Sequence, residues 1–161
     1  MPLVVRAAVP ADVPIILTLV RELAKYEREP NAVVATEALV HDALFGDSNV
    51  AYGLIAEDDG APVGFAIYFF NFSTWLGRRG LYLEDLYVRP EVRGRGVGKL
   101  LLRRLAAIAI QHGCGRMEWA VLDWNQPAIG FYKTLGAVPM DDWTTFRLTG
   151  PALQDLAATT P

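Results

Sequence analysis

Arg93-Gly94-Arg95-Gly96-Val97-Gly98-Lys99 sets three alternating glycines among cations, between a strand-like run ending at Val88 and a helix-like run beginning at Gly98. Glycine tolerates positive φ and lets the backbone approach a ligand, so successive N–H groups can converge on phosphate oxygens at a helix N-terminus. Arg93, Arg95 and Lys99 can add charge to such a cradle. A tight strand-to-helix turn also needs glycine with no ligand at all, and the residues alone leave both readings open. Two nucleotide motifs are excluded by spacing. The phosphate loop of the Gly-x4-Gly-Lys-Ser/Thr type fails because Arg93 stands five before Gly98 and Leu100 follows Lys99; the dinucleotide fingerprint fails because Lys99 occupies the place of its third glycine.

Working outward, Leu81 to Val88 reads as the strand that feeds the loop, and Leu101, Leu105, Ile108 and Ala109 mark one face of the helix after it. Gly113 and Gly115 end that helix. Upstream, Leu3 to Ala8 is strand-like, and Pro10 to Tyr26 is a helix whose Ile16, Leu19, Val20 and Leu23 recur at i, i+3, i+4, i+7. Thr36 is an N-cap candidate for a second helix that carries Leu39, Val40, Ala43 and Leu44 and stops at Gly46. Val50 to Glu57 and Val63 to Phe70 flank Asp58-Asp59-Gly60, a hairpin turn signal, and residues 71–80 form a polar excursion. Downstream come a strand at 116–122, a short helix at 127–135 with proline in its first turn, and a last strand at Trp143 to Leu148. The expected fold is a mixed α/β domain with a central, mostly antiparallel sheet and helices on both faces. A right-handed crossover through the 98–112 helix makes strands 81–88 and 116–122 parallel neighbours, and their splaying opens a cleft beside the glycine loop.

Composition narrows the partners. The 161 residues read as one domain, 1–161, large enough to fold without staples. A net charge of −3, with basic density confined to the glycine loop, argues against a nucleic-acid partner, and no apolar run is long enough to span a membrane. The single cysteine, Cys114, cannot form an intrachain disulfide, and Met1-Pro2-Leu3-Val4-Val5-Arg6 lacks a signal-peptide layout, so the expected setting is cytoplasmic.

The chain resembles the GCN5-related N-acetyltransferase superfamily, whose acetyl-CoA loop follows Arg/Gln-x-x-Gly-x-Gly/Ala, the pattern of Arg93 to Gly98. Arg21 to Glu27, Tyr82-Leu83-Glu84-Asp85, Trp124-Asn125-Gln126-Pro127 and Phe131-Tyr132-Lys133-x-x-Gly136-Ala137 extend the likeness to the diamine and thialysine acetyltransferases. The resemblance implies acetyl-CoA as cosubstrate, no metal, and a homodimer. Its cofactor site would use the backbone of Leu86, Tyr87 and Val88 for the pantetheine, and Arg93, Gly94, Arg95, Gly96, Val97, Gly98 and Lys99 for the diphosphate. Asn125 and Lys133, at the next helix, complete it. By motif match, Tyr132 is the acid that protonates the departing thiolate, with a half-buried structural aromatic as its alternative.

The chemistry is a neutral amine attacking a thioester. A phenol of reference pKa about 10 can protonate a thiolate whose conjugate acid lies near about 8.5 at small cost. A backbone N–H of 86–88 can polarise the carbonyl. Glu84 is the expected base, direct or through water, with a structural ion pair as its alternative; its neighbour Asp85 faces the other way if the strand is regular. The resemblance puts Tyr26 and Glu27 in the amine pocket, Glu27 toward a second ammonium, against the alternative of a solvated helix end. Glu118, Trp119 and Asp141 or Asp142 frame the far side, although Glu118 also suits an exposed strand position.

Polyamine-acetylating members carry an acidic residue near the tryptophan of the excursion, where this chain has Ser73-Thr74-Trp75. That departure favours a thialysine, a lysine analogue or a short diamine over spermine. The aromatic set Tyr68, Phe69, Phe70, Phe72 and Trp75 suits core packing for at least half its members, and a pocket or subunit interface for the rest. Two other readings remain: acetylation of a protein lysine or N-terminus, which calls for an open groove, and a non-catalytic acyl-CoA sensor.

Overall fold

A computed structural model describes residues 2–159; the end positions 1 and 161 of the expected domain, and Met1 of the N-terminal reading, lie outside them. The chain divides into two compact units, Met1–Leu122 and Asp123–Pro161.

The first unit is built on one sheet, ordered β1 (Leu3–Ala7), β2 (Tyr52–Asp58), β3 (Ala61–Ser73), β4 (Arg78–Val88) and β5 (Met117–Trp119). Neighbours are antiparallel up to β4, and β5 lies parallel to β4. The parallel pair needs a crossover, which α3 (Val97–Gln111) supplies. Asp59 and Gly60, at φ 52° and 82°, make the two-residue turn between β2 and β3, as the Asp-Asp-Gly signal predicts. The excursion expected at 71–80 is largely strand: Asn71, Phe72 and Ser73 pair with Gly80, Arg79 and Arg78, leaving a four-residue tip. Cross-strand pairing outweighs the low strand propensity of Asn71 and Gly80.

Alternation along the strands sorts the core into two layers. Ile55, Phe65 and Tyr87 join Ile16, Leu19 and Leu23 of α1 (Val13–Tyr26) and Leu44 of α2 (Glu37–Phe45) in one buried cluster. Their strand neighbours face α3, where Gly98 approaches Val88 and Leu101 and Leu105 are fully buried. Each such leucine contributes about 1.5–3 kcal/mol over its exposed state. The caps follow the sequence: the Thr36 hydroxyl accepts the Leu39 N–H at 3.2 Å, and Gly46 closes α2.

The second unit contains α4 (Gln126–Thr134) and α5 (Gly150–Ala158). The last strand expected at Trp143 to Leu148 does not form; the segment is irregular, with Phe146 92% exposed. Alternating β-formers make a strand only where a ladder and a buried face receive them. Likewise β5 is only three residues long, against the seven expected over 116–122, because its ladder with β4 stops at Leu83 and Trp119.

Candidate active site

The candidate site lies where that ladder ends. Among the described residues the β4–β5 ladder ends at Leu83, so the splay expected from the crossover begins at Glu84. On the other side the Arg89 N–H donates to the Val63 carbonyl at 2.8 Å. Strand alternation therefore turns the backbone groups of Leu86 and Val88 toward the β5-side edge, where an extended amide-bearing ligand can add to the sheet through the Leu86 groups and the Val88 N–H, the Val88 carbonyl already accepting from Arg93 Nε.

The glycine loop follows directly. Pro90–Val92 forms a 3-10 turn, Arg93 is extended, and Gly94 and Gly96 take φ of 82° and 81°. Those angles, rather than crowding, require glycine, because an added Cβ at either position would meet nothing within 4 Å. Gly96 is the N-cap of α3 and offers no side-chain acceptor, and no acidic residue stands in the first turn. Among the described residues neither a side-chain cap nor a carboxylate of the first turn competes for an anion at the N-terminus of this 15-residue helix, where the dipole favours negative charge, and Lys99 is exposed on the same turn. An anionic diphosphate fits this arrangement.

The loop arginines meet protein partners instead of open space. Arg93 donates from Nε to the Val88 carbonyl at 3.0 Å, and its Cζ lies 5.0 Å from the Tyr26 ring centroid and 5.7 Å from that of Tyr87. Arg95 pairs with Asp58 at the end of β2, and holds that carboxyl below the usual range.

Tyr26 and Glu27 sit at the end of α1, which closes in a Schellman motif: Arg28 takes φ 66°, its N–H reaches the Lys25 carbonyl, and the Glu29 N–H reaches that of Ala24. The motif fixes where the helix stops and so where Tyr26 and Glu27 stand. Burial raises the Glu27 carboxyl above its ordinary pKa.

The register between β3 and β4 corrects the expectation for Glu84 and Asp85. Asp85 pairs with Ile67 and Leu83 with Tyr68, so Glu84 is the extra residue of a β-bulge. The strand is irregular there, and alternation no longer sends the two carboxylates to opposite faces. Glu84 is exposed; Asp85 is half-buried, its pKa pushed up to about 6, first by burial and then by the charges of Glu84 and Glu27. Tyr82 is raised by burial and by Glu84 and Glu118, the latter its register partner on β5. Glu118 also pairs with Arg116 at 3.3 Å. Glu27, Glu84, Asp85 and Glu118 thus form an acidic series within one unit, and Trp119 ends β5 opposite Leu83. Asp85 is the member that sequence reasoning set aside, because no glycine or proline marks the bulge.

The remaining expected residues belong to the second unit. The Asn125 side chain accepts the Ala128 N–H at 3.4 Å and caps α4. Tyr132 and Lys133 lie on that helix, the Tyr132 ring 5.8 Å from that of Phe131, and Gly136 at φ 89° follows its end. Asp141 stands in an exposed turn. Among the described residues no cluster of three or more His, Cys, Asp or Glu is arranged to hold a metal, and no helix is long and apolar enough to cross a membrane.

A splayed parallel pair, with a glycine loop leading from its first strand into the crossover helix, defines an acetyltransferase of the GNAT class, and the chain belongs to that family: its model, described as the acetyltransferase (GNAT) family, matches residues 17–137. GNAT acetyltransferases use acetyl-CoA as cosubstrate. Among its relatives is a thialysine N-epsilon-acetyltransferase of Bos taurus, 40% identical over 95% of this chain and 96% of the relative. An L-ornithine N5-acetyltransferase of Arabidopsis thaliana is 33% identical over 93% and 86%. Among solved structures, an integron cassette protein from the mobile metagenome of V. cholerae superposes with a TM-score of 0.82 at 28% identity, covering 99% of each chain.

Proposed function

We propose that this protein transfers the acetyl group of acetyl-CoA directly to the amine of a thialysine- or lysine-like compound or a short diamine. The observation that carries the reading is the glycine cradle of Gly94 and Gly96 at the β5-side edge of β4, in the same unit as Glu27, Glu84 and Asp85. A diphosphate suits the first feature and a dication suits the second. The names of the thialysine and ornithine relatives support the choice of a small amine.

In the proposed reaction, Leu86 and Val88 hold the amide-bearing arm of the donor along β4, and the loop from Gly94 to Lys99 holds its diphosphate. An ammonium substrate gives one proton to Glu84, directly or through water, and its nitrogen then attacks the thioester carbon. The carbon–sulfur bond breaks, Tyr132 gives its proton to sulfur, and the second proton of the new amide nitrogen replaces it. The products are the N-acetyl amine, CoA thiol and one proton. Tyr26, Glu27, Glu118, Trp119 and Asp141 shape the amine side, while Arg93, Arg95, Asn125 and Lys133 support the donor side.

The reading extends to a cytoplasmic homodimer in which residues 1–161 act as one domain. The lone Cys114 suits a reducing compartment, and the exposed apolar tip of the β3–β4 hairpin, with Phe72 and Trp75 largely exposed, suits a subunit contact. Release of CoA thiol from acetyl-CoA is the test, measured across thialysine, diamines, polyamines and a lysine peptide with Tyr132→Phe alongside. Amine-dependent release with thialysine or short diamines, slowed in the variant, is expected. Release independent of amine, or full turnover by Tyr132→Phe where chemistry limits the rate, contradicts the reading.

A further inference from the structure

The guanidinium of Arg93 lies where the two halves of the proposed site meet. It belongs to the glycine loop by sequence, yet its Nε donates back to the Val88 carbonyl and its planar head sits over two rings, Tyr26 at 5.0 Å and Tyr87 at 5.7 Å. Tyr87 is buried and fixed, its hydroxyl donating to Glu22 at 3.4 Å, and Glu22 is held in turn by Arg89 at 2.9 Å. Tyr26 is the last residue of α1 and remains 39% exposed. One face of the contact is thus anchored in the core, and the other is the last helical turn beside Glu27.

We propose that Arg93 is a positioning residue that couples occupancy of the glycine loop to the placement of Tyr26 and Glu27, so that CoA and the amine bind with positive cooperativity. The inference rests on the function proposed above. A ligand held by the N–H groups from Gly94 onward restrains the loop and with it the Arg93 backbone. The side chain, already tied to Val88 and Tyr87, then restrains the Tyr26 ring. A second ligand that needs Tyr26 and Glu27 in place has less ordering left to supply, and the effect is reciprocal. The contact depends on the guanidinium: lysine keeps the charge but loses the planar head over the two rings and the Nε donor to Val88.

The dissociation constant of thialysine, measured by calorimetry with and without saturating CoA, reads this coupling without turnover, since CoA carries no acetyl group. The wild type should bind thialysine about three- to tenfold more tightly when CoA is present, the range a single cation–π contact supports. Tyr26→Phe keeps the ring and should keep the ratio, whatever its effect on affinity itself; Tyr26→Leu and Arg93→Lys should bring the ratio close to one. A purely structural contact would change both affinities and leave the ratio alone. An amine-free readout is the Tyr26 ring resonance, assigned by its loss in Tyr26→Phe: CoA should shift it in the wild type and not in Arg93→Lys. A wild-type ratio of one, or an unchanged ratio in Arg93→Lys, with turnover intact overturns the coupling alone. Failure of the wild type to bind CoA overturns the proposed function and the coupling together.

Discussion

Arg95 reaches from the glycine loop to Asp58 at the end of β2, with its two terminal nitrogens on the two carboxylate oxygens at 2.5 and 3.3 Å. An internal carboxylate therefore occupies a cation that the sequence pattern offers to a phosphate. Any anion drawn to Arg95 competes with Asp58. Asp58→Asn keeps a polar side chain and frees the guanidinium, so the KM for acetyl-CoA should fall about two- to threefold at low ionic strength and the difference should vanish near about 1 M salt. A higher KM in the variant would mean that Asp58 instead holds the loop in its binding shape.

Gly96 and Gly98 separate backbone requirement from space. Gly96→Ala places a side chain at φ 81°, a cost of about 1–2 kcal/mol if the angle is kept, and shifting the angle to avoid that cost turns the N–H groups away from the cradle. The expected result is a KM for acetyl-CoA raised about tenfold or more, with a small loss of thermal stability. Gly98→Ala adds a Cβ whose near neighbour, Val88 Cγ2, lies at an ordinary 3.9 Å, so thermal stability should hold or rise slightly. Equal loss of stability in both would contradict the assignment.

Asp85 should make stability depend on pH. Its pKa in the folded chain, about 6, lies above the ordinary carboxylate value, so the folded state holds the proton more tightly than the unfolded one. That contribution is complete below about pH 4 and is lost as the pH rises through 6. Asp85→Asn removes the loss. Relative to the wild type, its unfolding free energy from urea titration should gain about 1–3 kcal/mol at pH 8 compared with pH 4. An offset identical at the two pH values would remove Asp85 as the titrating group.

In the proposed function, Glu27 is the group that meets a second positive charge. Its carboxyl is raised by burial and stands at the fixed end of α1, where it suits a distal ammonium. Glu27→Gln should raise the KM of a diamine about tenfold and that of a monoamine of similar length far less, in keeping with a partly buried charge pair. An equal rise for both amines would take Glu27 out of that role.

What the chain discloses before folding depends on whether the signal is local. Ile16, Leu19 and Leu23 recur at helical spacing and are all buried on α1, and Thr36, Gly46 and Asp59-Gly60 act as caps and turn because their chemistry is complete within a few residues. The glycine loop is legible for the same reason. The bulge at Glu84 is not: Leu81 to Val88 carries no breaker, and the extra residue exists only in the pairing of Asp85 with Ile67 and Leu83 with Tyr68. Trp143 to Leu148 fails in the opposite sense, having strand composition without a ladder. The partners of Arg93 and Arg95 lie 67 and 37 residues away, at Tyr26 and Asp58, which loop spacing cannot indicate.

Mass analysis of the amine after incubation with acetyl-CoA tests the central claim most directly. Thialysine should gain a single acetyl group, with one CoA thiol released per acetylated amine. Thiol release without an acetylated amine, or acetylation confined to a lysine peptide while thialysine and short diamines stay unmodified, would contradict the account.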